Sequence, residues 1–174
     1  QESEVMSFVS KVDEYIKKWA LDGAKNQELA FLAYKVAKKY SDNHDNNGVG
    51  LIGGTSVGNA SSKIASSLKF LISYLKCFPQ GSVLPDSAVS ATVYHLVEVL
   101  KSSASASFDQ RSALLEVLQS SAAASSGEPL KPLLELLKII STGNSDDFET
   151  FSKANANTFQ EHGLDKEEMA NTMR

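Results

Sequence analysis

The sequence predicts an all-α protein: a single helical bundle of six to seven amphipathic helices covering residues 1–174. Apolar side chains recur at spacings of three and four residues along most of the chain, which is the helical period. Glycine, proline or short polar clusters separate these stretches. No stretch alternates apolar and polar residues with β-branched enrichment, so we predict no sheet.

The N-terminal part contains two predicted helices that are rich in lysine. Residues 4–21 carry an apolar stripe on one face, and Gly23 is expected to end this helix. A second helix is expected over residues 27–40. Its predicted buried stripe consists of Leu29, Leu32, Val36 and Tyr40. The polar cluster at 41–48 should stop it, because Ser, Asn and Asp side chains compete for backbone hydrogen bonds.

A glycine-rich loop at residues 44–58, expected to be the most mobile internal segment, precedes the remaining predicted helices. These helices are expected at about 60–77, 86–101, 110–125, 129–141 and 146–162. A Ser/Ala linker is expected at 102–107, Asp109 should cap the helix after it, and Pro129 should lie in the first turn of the next. The expected stops are Gly127, Gly143 and Gly163. Asp165 should cap a last short turn.

One hydrophobic core is expected where the apolar stripes meet. A chain of 174 residues is long enough to bury such a core without disulfides. The predicted core residues are Phe8, Val12, Trp19, Leu32, Ile64, Leu68, Leu71, Val93, Leu96, Leu115, Leu118, Leu134 and Leu137.

Charge and hydropathy narrow the range of partners. The chain carries 17 basic and 21 acidic residues, and its net charge is −4. No basic patch is present, so nucleic acid is not a predicted partner. The segment 145–174 is acidic. No apolar run approaches the roughly 20 residues that a membrane span requires, so no membrane span is predicted.

Two short patterns in the glycine-rich loop match known binding or catalytic motifs. Residues 48–53 fit the G-x-G-x-x-G pattern, and residues 54–58 fit the G-x-S-x-G pattern around Ser56. Each motif requires an adjacent β-strand, which positions the phosphate site or the strained serine turn. Because no sheet is predicted, we interpret both as parts of a flexible loop.

No cofactor, metal or catalytic site is predicted. Positions 1, 3, 5 and 6 of a calcium-binding loop are partly matched by Asn43, Asp45, Asn47 and Gly48. The bidentate glutamate of such a loop would fall on Gly54, so these residues are interpreted as a solvated turn. The three histidines are His44, His95 and His162, and no cysteine or second histidine stands at metal-binding spacing. His95 is interpreted as a residue at the edge of the core, and the chain is predicted not to be an enzyme.

Cysteine usage and one sequon bear on localisation. Cys77 is the single cysteine, so it is either a free buried thiol or a candidate for a disulfide with another chain. Asn59, in Asn-Ala-Ser, is a candidate for glycosylation. The chain begins at Gln1 without methionine, which is typical of a processed or shortened product. We therefore expect a secreted, extracellular protein.

Residues 59–120 resemble a known family. The opening stretch NASSKIASSL (59–68) resembles a helix that typically reads A-S-S-R-I-S-S, SAVSATV (87–93) resembles the next helix, and ALLEVL (113–118) resembles a later A-L-L-E-I helix. These are helices of the C-terminal non-repetitive domains of spider-silk proteins (spidroins). The resemblance implies a helical domain that dimerises and controls assembly of a structural protein.

The chain also departs from the spidroin pattern. The family's cysteine belongs in a later helix, whereas Cys77 follows the first matched helix. Residues 1–47 and 145–174 have no counterpart in that pattern. These departures put in doubt any transfer of the family's disulfide to this chain.

Two functions are kept as hypotheses. The first is a secreted, non-enzymatic helical protein that acts by protein–protein association, through self-association or structural assembly. The alternative is a carrier of an apolar small molecule or lipid, held in a cavity between helices. An effector that acts through its surface, or an enzyme using Ser56 or His95, would be further alternatives without direct support from the sequence.

Overall fold

A computed structural model describes residues 7, 11, 14, 15, 18, 23–46, 67–79, 82–101, 104–120 and 129–173. These residues contain helices and short connections and no strand, which confirms the all-α class. By internal contacts the chain divides into an N-terminal unit, Gln1–Phe78, and a C-terminal unit, Pro79–Arg174. Each unit is described by itself, and the single-domain expectation stays a prediction.

The continuous described stretches contain eight helices rather than six to seven. They are α1 (Gly23–Asn46), α2 (67–75), α3 (Asp86–Lys101), α4 (Ala104–Ser120), α5 (Lys131–Thr142), α6 (Ser145–Ala154), α7 (Ala156–His162) and α8 (Lys166–Thr172). Before α1, the described residues Ser7, Glu14, Tyr15 and Lys18 are also helical. Within the described part of the chain, no helix has both the length and the apolar character needed to span a membrane.

In the N-terminal unit, α1 is longer than predicted. Gly23, the expected stop of the preceding helix, is the first residue of α1, and the residues just before it lie outside those described. The helix continues through 41–46, which were expected to stop it. The predicted stripe is wrong at Leu32, which is 52% exposed. Leu29 and Val36 are half-buried, and the side chain of Tyr40 lies outside those described. The buried side chains of α1 are Ala30, Ala33, Tyr34 and Ala37. Residues 44–46, the start of the predicted loop, belong to α1 and are helical.

In the C-terminal unit, α5 is the central helix. It contacts α3, α4 and α6. Leu133, Leu136 and Leu137 of this helix are fully buried. A residue buried this completely contributes about 1.5–3 kcal/mol relative to full exposure, so α5 provides much of the core of this unit.

Three predicted boundaries in the C-terminal unit are wrong. α4 begins at Ala104, so 104–107 are helix rather than linker and Asp109 lies inside the helix instead of capping it. Pro132, not Pro129, lies in the first turn of α5. The helix expected over 146–162 is divided at Asn155, which separates α6 from α7.

The predicted stops at Gly143 and Gly163 are confirmed, and the one at Gly127 lies outside the described residues. Gly143 and Gly163 end α5 and α7 with φ of 69° and 58°, the left-handed conformation that glycine adopts without steric cost. Asp165 caps α8, because its Oδ1 accepts hydrogen bonds from the amides of Glu167 (2.8 Å) and Glu168 (3.0 Å). The acidic segment 145–174 thus forms α6, α7 and α8.

The predicted core is confirmed in part. The buried members are Leu68, Leu71, Leu96, Leu118, Leu134 and Leu137. Val93 and Leu115 are half-buried, and Leu32 is exposed. Phe8, Val12, Trp19 and Ile64 lie outside the residues whose side chains the structure describes.

Candidate functional site

Cys77 lies in the turn that follows α2. It is half-buried, and its Sγ donates to the carbonyl of Ser73 at 3.3 Å. The Cys77 carbonyl accepts from Nε2 of Gln27 on α1 at 3.2 Å. α1 therefore holds the turn that carries the thiol, and the thiol keeps part of its surface in solvent.

Aromatic side chains fill the contact between α1 and α2. The Phe31 ring lies 4.9 Å from that of Tyr74, and Tyr74 meets Phe78 edge-on at 5.1 Å. Tyr34 stacks on Phe31 at 6.1 Å and is buried. These rings pack against one another at the distances typical of aromatic pairs in cores, so they serve to join the two helices.

Polar side chains are buried in the C-terminal unit. His95 on α3 is completely buried and meets the ring of Tyr94 edge-on at 5.1 Å. The Thr92 hydroxyl donates to the Ala88 carbonyl at 2.7 Å. Arg111 on α4 is buried as well, and this burial lowers its pKa from the ordinary value. His95 lies inside the core rather than at its edge, out of reach of a dissolved substrate in this structure.

Apolar side chains remain in solvent along α3 and the segment that leads into it. Val83 is 77% exposed and Tyr94 is 39% exposed. Val89 and Val93, half-buried, lie between them in sequence. We call these four residues the α3 apolar strip. Positions 89 and 93 lie one above the other on α3, because residues four apart do so, and Tyr94 lies about 100° further round the helix.

A pocket of about 220 Å³ lies where the end of α3 meets the α7–α8 turn. Its described lining residues are Leu100, Lys101, Gly163, Leu164, Asp165, Glu168 and Met169. The leucines and the methionine are less than a tenth exposed, whereas the charged side chains are exposed. The pocket therefore has an apolar floor and a charged mouth.

One charged group at the mouth has a defined position. A Cβ built on Gly163 would lie 3.9 Å from Nζ of Lys101, so the ammonium group lies close to the glycine backbone. Asp165 directs Oδ1 to the amides of α8. Glu168 follows in the first turn of that helix. Lysine and two carboxylates therefore surround one small opening.

The structure leaves several predicted sites outside its described residues. These are Asn59, Ser56 and the two glycine patterns at 48–53 and 54–58. The expected solvated turn at Asn43 and Asp45 is wrong, because both residues are helical. Among the described residues, no group of three or more His, Cys, Asp or Glu side chains is placed to hold one metal ion.

No protein-family model, curated protein or solved structure matches this chain. The resemblance of residues 59–120 to spidroin C-terminal domains therefore stays a prediction. Function has to be argued from the surfaces and the pocket of the chain itself.

Neither the pocket nor the α3 apolar strip was identified from the sequence. The pocket combines Leu100 with residues 163–169, which are more than sixty positions away, and no local motif signals such a meeting. Of the strip, Val93 was expected in the core and is half-buried, whereas nothing was predicted for Val83 and Tyr94. Periodicity identifies the apolar positions of a helix without saying which of them a neighbouring element covers.

Proposed function

We propose that this chain is a secreted, non-enzymatic helical protein that acts by protein–protein association, with self-association in a structural assembly as its specific form. The α3 apolar strip is the observation that supports the proposal. Single exposed apolar side chains are ordinary on protein surfaces. Here an exposed tyrosine shares α3 with two half-buried valines, and the exposed Val83 lies just before the helix. Tyrosine is enriched in interfaces because it combines apolar area with a hydroxyl.

Cys77 adds a covalent form of association. It is the single cysteine of the chain, so a disulfide would have to join two molecules. The half-buried thiol at the end of α2 keeps part of its surface in solvent. In this proposal, the intermolecular disulfide reinforces an association made through the α3 apolar strip.

Light scattering over a range of concentrations tests the association. We expect a concentration-dependent dimer or larger oligomer whose dissociation constant rises about tenfold or more, about 1.4 kcal/mol, in Tyr94→Ser. Leu32→Ser is the matched control, since Leu32 is exposed on α1, outside the strip. A monomer at all concentrations, or equal weakening by both substitutions, would refute association through α3.

Non-reducing gels test the covalent link. The wild-type protein, purified without reductant, should migrate in part as a dimer that disappears with reductant and is absent in Cys77→Ser. A chain that stays monomeric under mild oxidation would show that Cys77 does not bridge molecules.

Glycosylation at Asn59 is tested by mass. Expression in cells with an N-glycosylation pathway, behind a signal peptide, should give a product whose mass falls on enzymatic deglycosylation. Asn59→Gln should already have the lower mass. An unmodified wild-type product would remove the glycosylation proposal.

The second candidate function is that of a carrier for a small molecule with an apolar part. The pocket between α3 and the α7–α8 turn favours it, because Leu100, Leu164 and Met169 form an apolar floor. Its volume of about 220 Å³ lies below the roughly 300–1,000 Å³ of sites for drug-sized ligands. Native mass spectrometry should therefore detect a small bound molecule, and a protein that neither retains nor takes up any ligand would exclude this function.

A further inference from the structure

The pocket at the end of α3 has two chemically distinct parts. Its floor consists of Leu100, Leu164 and Met169, whose side chains are 3%, 7% and 4% exposed. Methionine is flexible and polarizable, so it can adapt to apolar groups of different shape. The floor favours a short aliphatic or aromatic group.

The mouth carries charges of both signs. Nζ of Lys101 lies near Gly163, 3.9 Å from the position that a Cβ on this glycine would take. Asp165 and Glu168 stand on the α8 side of the same opening. An ammonium group attracts a carboxylate and a carboxylate attracts an ammonium group, and the attraction is stronger beside a low-dielectric floor than in bulk water.

From this combination we infer that the pocket binds a small zwitterion with an apolar side chain, of which an apolar α-amino acid is the simplest. The ligand's carboxylate pairs with Lys101, its ammonium group with Glu168, and its side chain covers the floor. Asp165 adds negative potential, although its Oδ1 is already used by the α8 amides. This inference rests on the second candidate function and is independent of association through α3.

Size and charge balance separate this ligand from the alternatives. A long-chain lipid exceeds a pocket of about 220 Å³. A simple carboxylate would meet two like charges at the mouth, and a simple amine would be repelled by Lys101. A zwitterion offers an opposite charge to both signs at once, with its carboxylate at Lys101 and its ammonium group at Glu168.

Ligand-observed NMR with leucine, 4-methylpentanoate and 3-methylbutylamine tests the inference. The last two compounds are leucine without its ammonium group and without its carboxylate. We expect leucine to bind the full-length protein at least about tenfold more tightly than either analogue, equivalent to about 1.4 kcal/mol. Equal binding of the amine, or no leucine binding below about 10 mM, would overturn the inference.

Substitutions in the pocket lining test where leucine binds. Lys101→Met and Glu168→Gln should each weaken leucine binding about tenfold or more. Lys138→Met and Glu135→Gln are the matched controls, because both residues are exposed on α5, outside the pocket lining. Leucine binding that is unchanged in the two pocket variants would overturn the inference. An apolar ligand retained by the purified protein, with no leucine binding, would refute this inference while leaving the carrier function intact.

Discussion

Nζ of Lys166 lies 4.8 Å above the centre of the Phe159 ring. The same ammonium group donates to the carbonyl of Ser152 at 3.2 Å. One lysine at the start of α8 therefore contacts both α7 and α6. Lys166 is therefore expected to help hold α8 in place.

Replacing Lys166 with glutamine should lower the free energy of unfolding by about 0.5–1 kcal/mol, the range measured for cation–π contacts at exposed sites. Urea denaturation measures the change, and hydrogen exchange should show faster opening of the α8 amides. Lys153→Gln makes the same chemical change on α6, where Lys153 contacts only the exposed Glu149 among its described partners. Exposed pairs contribute little, so equal losses in the two variants would contradict the role of Lys166.

Three phenylalanines hold α6 to α7. Phe159 is 3% exposed and meets the rings of Phe148 (6.1 Å) and Phe151 (6.2 Å) edge-on. Phe159→Ala should cost about 3–5 kcal/mol, because it removes buried area and leaves a cavity. Asn157→Ala, at an exposed position of the same helix, should change stability by less than about 0.5 kcal/mol. Thermal denaturation distinguishes the two, and a tolerated Phe159→Ala would show that these rings do not support the fold.

The C-terminal helices were largely predictable because local signals set their ends. Gly143 and Gly163 stop helices through a left-handed conformation that other residues reach only at a cost. Asp165 caps α8 through its own carboxylate. The break at Asn155 was missed, although asparagine disfavours helix interiors. Its backbone N–H (2.9 Å) and its side-chain Nδ2 (3.3 Å) both donate to the carbonyl of Phe151, so the side chain adds a second donor to the last carbonyl bonded at the end of α6.

α1 and α4 were mispredicted because weak local preferences were given too much weight. Ser and Asn after Tyr40 indicated a stop, yet the helix continues, and Lys38 pairs with Asp42 at 2.7 Å across one turn within the disputed stretch. Ala104 lies in a Ser/Ala run interpreted as a linker, although alanine is the strongest helix former. The buried face of α1 consists of alanines around Tyr34. Hydrophobicity scales rank alanine below leucine, so the larger Leu32 was placed in the predicted stripe although it is exposed.

The pKa of Glu149 is lowered, first by the hydrogen bond from Lys153 (2.6 Å) and then by its positive charge. A carboxyl with a lowered folded-state pKa stabilises the protein at pH values above its unfolded-state pKa, and this contribution is lost as the pH falls through the lowered value. In Lys153→Gln the pKa of Glu149 should rise toward the ordinary glutamate value, as measured by carboxyl NMR titration. Added salt should also raise the pKa of Glu149 in the wild-type protein, because it screens the charge of Lys153.

A control substitution keeps this pH prediction specific. Lys138→Gln removes an exposed charge from α5 and should leave the pKa of Glu149 unchanged. If the pKa of Glu149 stays low in Lys153→Gln, the pair is not the cause of the shift.

Gly143 and Gly23 should respond to alanine with opposite signs. Gly143 has φ of 69°, where a Cβ costs about 1–2 kcal/mol whatever the space around it. Gly23 lies in helix α1 without a positive φ, and a Cβ there would meet nothing within 4 Å. Gly23→Ala should therefore raise the free energy of unfolding by up to about 1 kcal/mol, because alanine loses less backbone entropy in a helix. Urea denaturation of the two variants checks both signs, and a stabilising Gly143→Ala would mean that α5 does not end in a left-handed residue.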